Sequence, residues 1–506
     1  MGLLTLYAGL LLPWLGGTLW LAFADSRFNS NNPINRFRQA GYGFFLGYAV
    51  LFLAVMASNK FTGAVSWPGL MVFLLIFTVS GSIAVWLEWI PGQARDDVLV
   101  EHRRLSGTTA RTAQTPTSTA MKAMLAIMLV LMAIHLVFIA VEIFTQPLYP
   151  WDAWLAWVYR AKAWFMAGSI ADVVSTTDWA TATSANIYTI DAYRYPLFPS
   201  IVPYWAALSL GSWSETLINL PVLFAGLAIG MAVYGQCREH GLNVATSLIT
   251  CYLLYSIPLF GTHLALAGYA DLWMAGFAGL GFIALMRGAI SRDEVGKSGF
   301  QMALGFLMVL FSIWVKNEGA VWLLAALAML ILVNFRPRVP VLMMVAVIVA
   351  ALITFALGFT YISIPLIGKL GMVDGRLAIP FIGNFSLELH NIQHVYWDNF
   401  INMGSWNLLW VFVVASLFLG FKSPNVISGY RARRAALSFI LIFMATQLFI
   451  FGLTDQGLWA DTYTAINRLP LHFLPAILFA VVIIANASLR PVESAETATE
   501  VQSGEA

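Results

Sequence analysis

The stretch from Lys122 to Thr145 reads KAMLAIMLVLMAIHLVFIAVEIFT. At 1.5 Å of rise per residue, a run of this length covers the roughly 30 Å hydrocarbon thickness of a bilayer. It reads as a membrane-spanning helix, and similar runs recur along the chain. Scanning for apolar stretches of about 17–25 residues predicts thirteen spans: 3–23, 40–57, 69–90, 122–145, 215–235, 243–261, 271–288, 299–315, 319–335, 340–362, 407–421, 435–452 and 471–488. Composition agrees. Of 506 residues, 60% are hydrophobic and 10% charged, against about 25% charged in an average chain. A soluble enzyme and a disordered chain are excluded. The net charge of +2 gives no polyelectrolyte footprint, so no nucleic-acid partner is expected. The runs are continuous rather than alternating, which excludes a transmembrane β-barrel. The expected class is an all-α polytopic membrane protein whose bilayer is its first partner.

Basic residues set the expected orientation. Nineteen of the 27 Lys and Arg, among them Arg103, Arg104, Arg287, Arg433 and Arg434, fall on one side of the thirteen-span map. Eight fall on the other: Lys60, Arg160, Lys162, Arg194, Lys316, Lys369, Arg376 and Arg468. The positive-inside rule makes the richer side cytoplasmic. The N-terminus is then outside, and the acidic, low-complexity tail 490–506 is inside and disordered. The first span lacks a basic leader and a small-residue cleavage site, so it is expected to stay as a helix. Two long outer segments result, about 146–214 and 363–406. Cytoplasmic loops are short and no Walker-type phosphate loop occurs, so chemistry is expected at the outer face. Cys237 and Cys251 form neither a ligand spacing nor a disulfide framework.

Ionisable residues gather on that outer face. After the fourth span comes Trp151-Asp152-Ala153-Trp154, then Trp157, Arg160, Lys162 and Trp164. On an α-helix at 100° per residue, Trp154, Trp157 and Trp164 share a face about 80° wide, which predicts a helix lying in the membrane interface. Asp152 reads either as the cap of that helix or as a working carboxylate beside two cations. Arg194-Tyr195-Pro196-Leu197-Phe198-Pro199 leads into the apolar stretch 200–212, read as a re-entrant helix that needs a protein or cavity cover. Asp271 begins the seventh span, either as its N-cap or as part of a site. Lys316-Asn317-Glu318 joins two short spans, either as a self-satisfied turn pair or as ionisable groups held at headgroup depth for function. Asn467-Arg468 precedes the last span, where the arginine is either a snorkelling anchor or a site cation.

In order, Trp151-Asp152-Ala153-Trp154, Tyr195-Pro196-Leu197-Phe198-Pro199, Tyr269-Ala270-Asp271-Leu272, Lys316-Asn317-Glu318-Gly319 and Asn467-Arg468-Leu469 resemble membrane glycosyltransferases of the GT-C fold. The nearest likeness is to the family related to protein O-mannosyltransferases and the lipid A aminoarabinose transferase (glycosyltransferase family 39). The resemblance covers about 122–480. It divides the chain into three N-terminal helices with a basic cytoplasmic loop (1–121), a GT-C-like catalytic domain (122–489) and the tail (490–506). It implies a polyprenyl-phosphate sugar donor, a glycan, lipid or protein acceptor, and inverting transfer at the outer face of a bacterial inner membrane. An acidic residue serving the acceptor corresponds to Asp152. The chain departs from the family at Ala153, where relatives often carry Glu; losing that acid weakens the case for a bound divalent metal. It departs again at Phe198, where aminoarabinose transferases carry Lys, so phosphate contact must come from another cation.

The chemistry so implied suits these residue types. A hydroxyl nucleophile needs its proton taken, a role for Asp152, and a departing lipid phosphate needs fixed cations. Arg194, Lys316 and Arg468 are the expected phosphate ligands, with Lys162 and Arg160 behind them. Asp271 is expected to hold sugar hydroxyls or orient the acceptor, and Tyr195, Asn317 and Glu318 to support. Two other classes fit the same outline: an O-antigen-type polymerase or ligase, and a lipid-linked sugar flippase or transporter. Transporters often show repeated halves and charges at the bilayer midplane, neither of which is visible here.

Overall fold

The computed structural model describes residues 2–27, 35–105, 118–184, 187–336, 338–358, 360–365, 368–380, 382–422 and 427–489. The tail 490–506 and the basic-loop residues 106–117 lie outside the described residues. Helices dominate: α1 (Gly2–Ser26), α2 (Asn35–Thr62), α3 (Trp67–Leu105), α4 (Thr119–Thr145), α5 (Val158–Ala167), α6 (Thr176–Thr181), α7 (Phe198–Leu210), α8 (Leu220–Glu239), α9 (Val244–Ser256), α10 (Pro258–Ala265), α11 (Asp271–Met274), α12 (Leu280–Ile290), α13 (Val295–Phe311), α14 (Glu318–Asn334), α15 (Arg338–Ala356), α16 (Gln393–Trp397), α17 (Leu409–Lys422), α18 (Ile427–Leu453), α19 (Gly457–Asp461), α20 (Arg468–Leu471) and α21 (Leu474–Leu489). Among the described residues, eight helical stretches are long and apolar enough to cross a membrane: Gly2–Ser26, Arg36–Thr62, Trp67–Leu87, Thr119–Thr145, Leu217–Glu239, Asp271–Ile290, Gly296–Trp314 and Tyr430–Leu453. α9 and α10, bent by 64° where Pro258 denies the ladder an N–H, make a ninth if they form one span. α14, α17 and α21 are apolar but shorter. The chain is an integral membrane protein built mainly of helices.

The helical class is as expected, whereas the described residues give eight or nine candidate spans rather than thirteen, and a few short strands accompany the helices. Between α15 and α16 lies an antiparallel sheet of β3 (Tyr361–Ile364), β4 (Gly368–Val373), β5 (Arg376–Ile379) and β6 (Gly383–Phe385). Its β4–β5 hairpin turns at Asp374-Gly375, both with positive φ (50° and 76°), as a tight two-residue turn between twisted strands requires. In the first outer segment β1 (Asp172–Val174) pairs in parallel with β2 (Ile187–Thr189).

Two helix contacts position the site. α1 and α2 meet backbone to backbone: a Cβ on Gly47 would lie 1.8 Å from the Pro13 carbonyl oxygen, and one on Gly17 2.1 Å from the Gly43 oxygen. Small residues allow such approach where hydrocarbon surroundings supply no hydrophobic drive. α2 then packs along α8, and Tyr42 donates to the Leu280 carbonyl at 2.8 Å. The first three helices therefore share the core of the rest. At that end of the bundle Arg38 pairs with Asp25 and, at 3.0 Å, with Glu239, while Gln236 donates to Tyr42 and Gln301 at 3.0 and 3.1 Å. α7 is enclosed almost entirely by protein, packing on α1 and α5; Trp205 donates to the Gly9 carbonyl at 2.8 Å. That burial supplies the cover the stretch 200–212 was expected to need.

Candidate active site

Residues 153–157 form a π-helical turn that runs into α5. A π turn takes more residues per revolution than an α turn, so the 100° spacing used to align the tryptophans does not hold. The expected Trp stripe is accordingly broken: Trp157 and Trp164 are buried, whereas Trp154 is 64% exposed and donates to the Leu148 carbonyl at 2.8 Å. The same turn decides the role of Asp152. It has helical φ and ψ and makes no side-chain cap bond, which removes the capping alternative. Its carboxylate pairs instead with the Arg468 guanidinium, more than three hundred residues away. Ala153 is packed under Gly268, whose φ is +111° and whose added Cβ would lie 2.6 Å from that of Ala153. A small residue is needed there by geometry.

Asp271 is the hub. It is fully buried and both its oxygens are engaged. Oδ1 accepts from Lys316 Nζ at 3.1 Å and pairs with His472 Nε2 at 2.8 Å; Oδ2 accepts from Arg468 Nε at 3.0 Å and Nη2 at 2.5 Å. Its carboxylate is spent on these partners and not on the helix terminus, so the N-cap reading of Asp271 fails as well. His472 Nδ1 accepts from the buried Trp322 indole at 3.1 Å. An indole nitrogen only donates, so the imidazole carries its hydrogen on Nε2 and presents it to Asp271. Lys316 also pairs with Glu318 at 3.2 Å, so the turn pair exists but reaches beyond itself. Burial pushes the Lys316 amine down, and Asp271 followed by Glu318 more than offset it, leaving its proton held above the ordinary range. Arg468 lies over the Tyr269 ring at 4.7 Å, bound on two sides rather than snorkelling.

The structure thus joins Asp152, Arg468, Asp271, Lys316 and Glu318 into one chain of ion pairs. Tyr195 stands beside it: Glu318 first, then burial, raises its phenol above the usual range, and its ring meets Trp157 edge-on at 5.1 Å. Other expected members lie apart. Arg194 is exposed and sits over the Tyr193 ring at 5.2 Å. Lys162 pairs with Glu215 at 2.9 Å over Trp213. Arg160 is buried and donates to the carbonyls of Tyr195 and Ala192, both at 3.0 Å, with burial lowering its pKa to about 10; it clamps the loop that carries Tyr195. Asn317 is exposed and makes no cap bond.

Reading the sequence missed His472 and Trp322. His472 stands four residues after Arg468 on one helical face, the one local sign that could have found it. Nothing local marks Trp322. Among the described residues no group of three or more His, Cys, Asp or Glu side chains is arranged to hold a metal ion.

At the exposed end the site offers a carboxylate, Asp152, 25% exposed beside an arginine that is 22% exposed; at the closed end it offers a rigid, buried charge lattice. No family model, no curated protein and no solved structure matches the chain.

Proposed function

We propose that this chain is an inverting glycosyltransferase, moving a sugar from a polyprenyl-phosphate donor to an acceptor hydroxyl at the outer face of a bacterial inner membrane. In this reading the chain crosses the bilayer thirteen times, with the N-terminus outside and the C-terminus inside. What supports it is one observation: the solvent-reachable Asp152 carboxylate is held by Arg468, itself tied to a buried lattice of Asp271, Lys316 and His472.

The cluster of Asp152, Asp271 and Glu318 against Lys316 and Arg468 is one negative charge in excess, so a phosphate enters by exchange. Arg468 releases Asp152 and takes the donor phosphate, while Asp271 keeps the guanidinium in place. Asp152, freed of its cation, becomes the general base. The acceptor O–H gives its proton to Asp152, and its oxygen forms the new bond to the anomeric carbon from the opposite face. The bond from that carbon to the phosphate oxygen breaks, and the lipid phosphate leaves with the electron pair. Arg468 stabilises the developing charge, and Lys316 acts through the shared Asp271.

Purified protein in lipid nanodiscs, supplied with polyprenyl-phosphate sugars and an extract of envelope acceptors, tests this. Transfer is expected in the wild type, with a loss of about 10²–10⁴ in rate for Asp152→Asn, the scale of removing a general base. Transfer surviving in Asp152→Asn removes the proposed base. Lipid-linked sugar scrambled without transfer, or a polymer grown on lipid pyrophosphate, replaces the reading altogether.

A further inference from the structure

A second feature of the outer face lies off the ion-pair chain. Tyr159 of α5, Trp179 of α6 and Ser184, Ile187, Tyr188 and Thr189 on and before β2 line an open cleft of about 420 Å³. Two of its aromatic side chains remain in solvent: Tyr159 is 41% and Trp179 49% exposed. Trp179 is not loose, since its indole N–H donates to the Ile187 carbonyl at 3.2 Å, which pins the ring to the strand. Ser184 and Tyr188 bring hydroxyl groups to the lining of the cleft. Among the described residues, no Lys, Arg, Asp or Glu lines the cleft.

These properties select a ligand. A phosphate or a zwitterionic headgroup would find no counter-charge there, and an acyl chain would meet hydroxyls. A neutral, polyhydroxylated ring meets both needs. Its axial C–H groups, slightly positive, lie against the electron-rich faces of Trp and Tyr, and its hydroxyls meet the hydroxyl-bearing lining residues Ser184 and Tyr188.

We propose that this cleft binds a neutral pyranose unit of a glycan acceptor, so that the acceptor is a carbohydrate rather than a protein or a bare lipid. The inference rests on the transferase reading above and narrows its acceptor class. Placement supports it: Tyr159 follows Asp152 by seven residues on one continuous helical segment, a separation of about 10 Å along the axis. A glycan seated in the cleft extends its next units toward the carboxylate.

The test uses the full-length protein in phosphatidylcholine nanodiscs and short linear oligosaccharides of gluco, galacto and manno configuration as probes. Binding is read by saturation-transfer NMR and calorimetry, independently of transfer, for the wild type, Trp179→Ala and Tyr188→Ala. At least one series is expected to bind the wild type, with affinity falling about tenfold in each variant, the size of losing one aromatic stacking partner. In the transfer assay the loss should fall on the acceptor KM. Sugar binding that ignores both variants, or no binding by any series, overturns the proposal, as does failure of Trp179→Ala to insert into nanodiscs with its sugar affinity intact, which makes Trp179 a bilayer anchor. Cleft-dependent binding without any transfer leaves the cleft standing and removes the transferase reading. Transfer with an unchanged acceptor KM in Trp179→Ala does the reverse.

Discussion

Two aspartates in one ion-pair chain differ in what surrounds them, and that difference predicts different failures. Asp271 is fully buried between Lys316 and Arg468 and pairs with both. Replacing it with Asn leaves Lys316 only Glu318 and Arg468 only Asp152, and breaking a buried pair from one side costs about 3–5 kcal/mol. Asp152 has one partner and a quarter of its side chain in solvent, a setting in which pairs are worth about 0–1 kcal/mol. Thermal unfolding of the purified variants should therefore show Asp271→Asn strongly destabilised and Asp152→Asn near wild type, with activity lost in both. Equal melting temperatures would mean that Asp271 is not the hub its contacts describe. Where Asp152 alone fails in turnover while remaining folded, the fault is chemical rather than structural.

At the scale of elements, the π turn at 153–157 and the approach of Gly268 act together. The turn carries Asp152 to Arg468, and Gly268 closes over Ala153 from the loop that leads to α11. Glu at 153, the residue common in the resembling family, would bring a carboxylate into a buried contact already too close for an extra methyl. Ala153→Glu is predicted to lose more than the ~1–3 kcal/mol typical of overpacking, because an unpaired buried charge adds to it. The measurement is again the melting temperature. An unchanged value would show that the Gly268 loop moves freely, and the position of Asp152 would then not depend on it. The outer sheet is tied to the bundle by a similar device, an ion pair of 2.7 Å between Arg376 on β5 and Asp455 beyond α18.

For the whole molecule, the two buried polar networks lie at opposite ends of the bundle. One holds Asp25, Arg38 and Glu239, the other Asp152, Asp271 and Lys316. The orientation proposed above puts the first on the cytoplasmic side and the second on the external side. Both native cysteines are buried, so single introduced cysteines report without background. Thr177→Cys and Leu389→Cys, in the two outer segments, are predicted to react with an impermeant maleimide in intact cells. Tyr430→Cys should react only after permeabilisation. Labelling of Tyr430→Cys in intact cells would invert the protein and place the candidate site in the cytoplasm.

The membrane class was legible from the chain alone, because apolar runs of spanning length such as 122–145 need only composition and periodicity to be recognised. The residue types of the candidate site were legible too: ionisable groups are expensive at the edge of a bilayer, so Asp152, Asp271, Lys316, Glu318 and Arg468 stood out against it. The Asp374-Gly375 hairpin carries a local turn signal, which the apolar helical runs outweigh in a reading by composition. Other features had no local trace. The π turn breaks a periodicity that was assumed constant, so the Trp stripe was misread. Which cation meets which carboxylate depends on α11, α20 and the α13–α14 turn converging, a fact of packing between segments far apart in sequence. Arg194 and Lys162 looked equivalent to Arg468 because sequence carries charge but not direction. Only the tertiary structure decided that Arg468 faces inward to two aspartates while Lys162 turns to Glu215, since each is set by the neighbour that satisfies its charge.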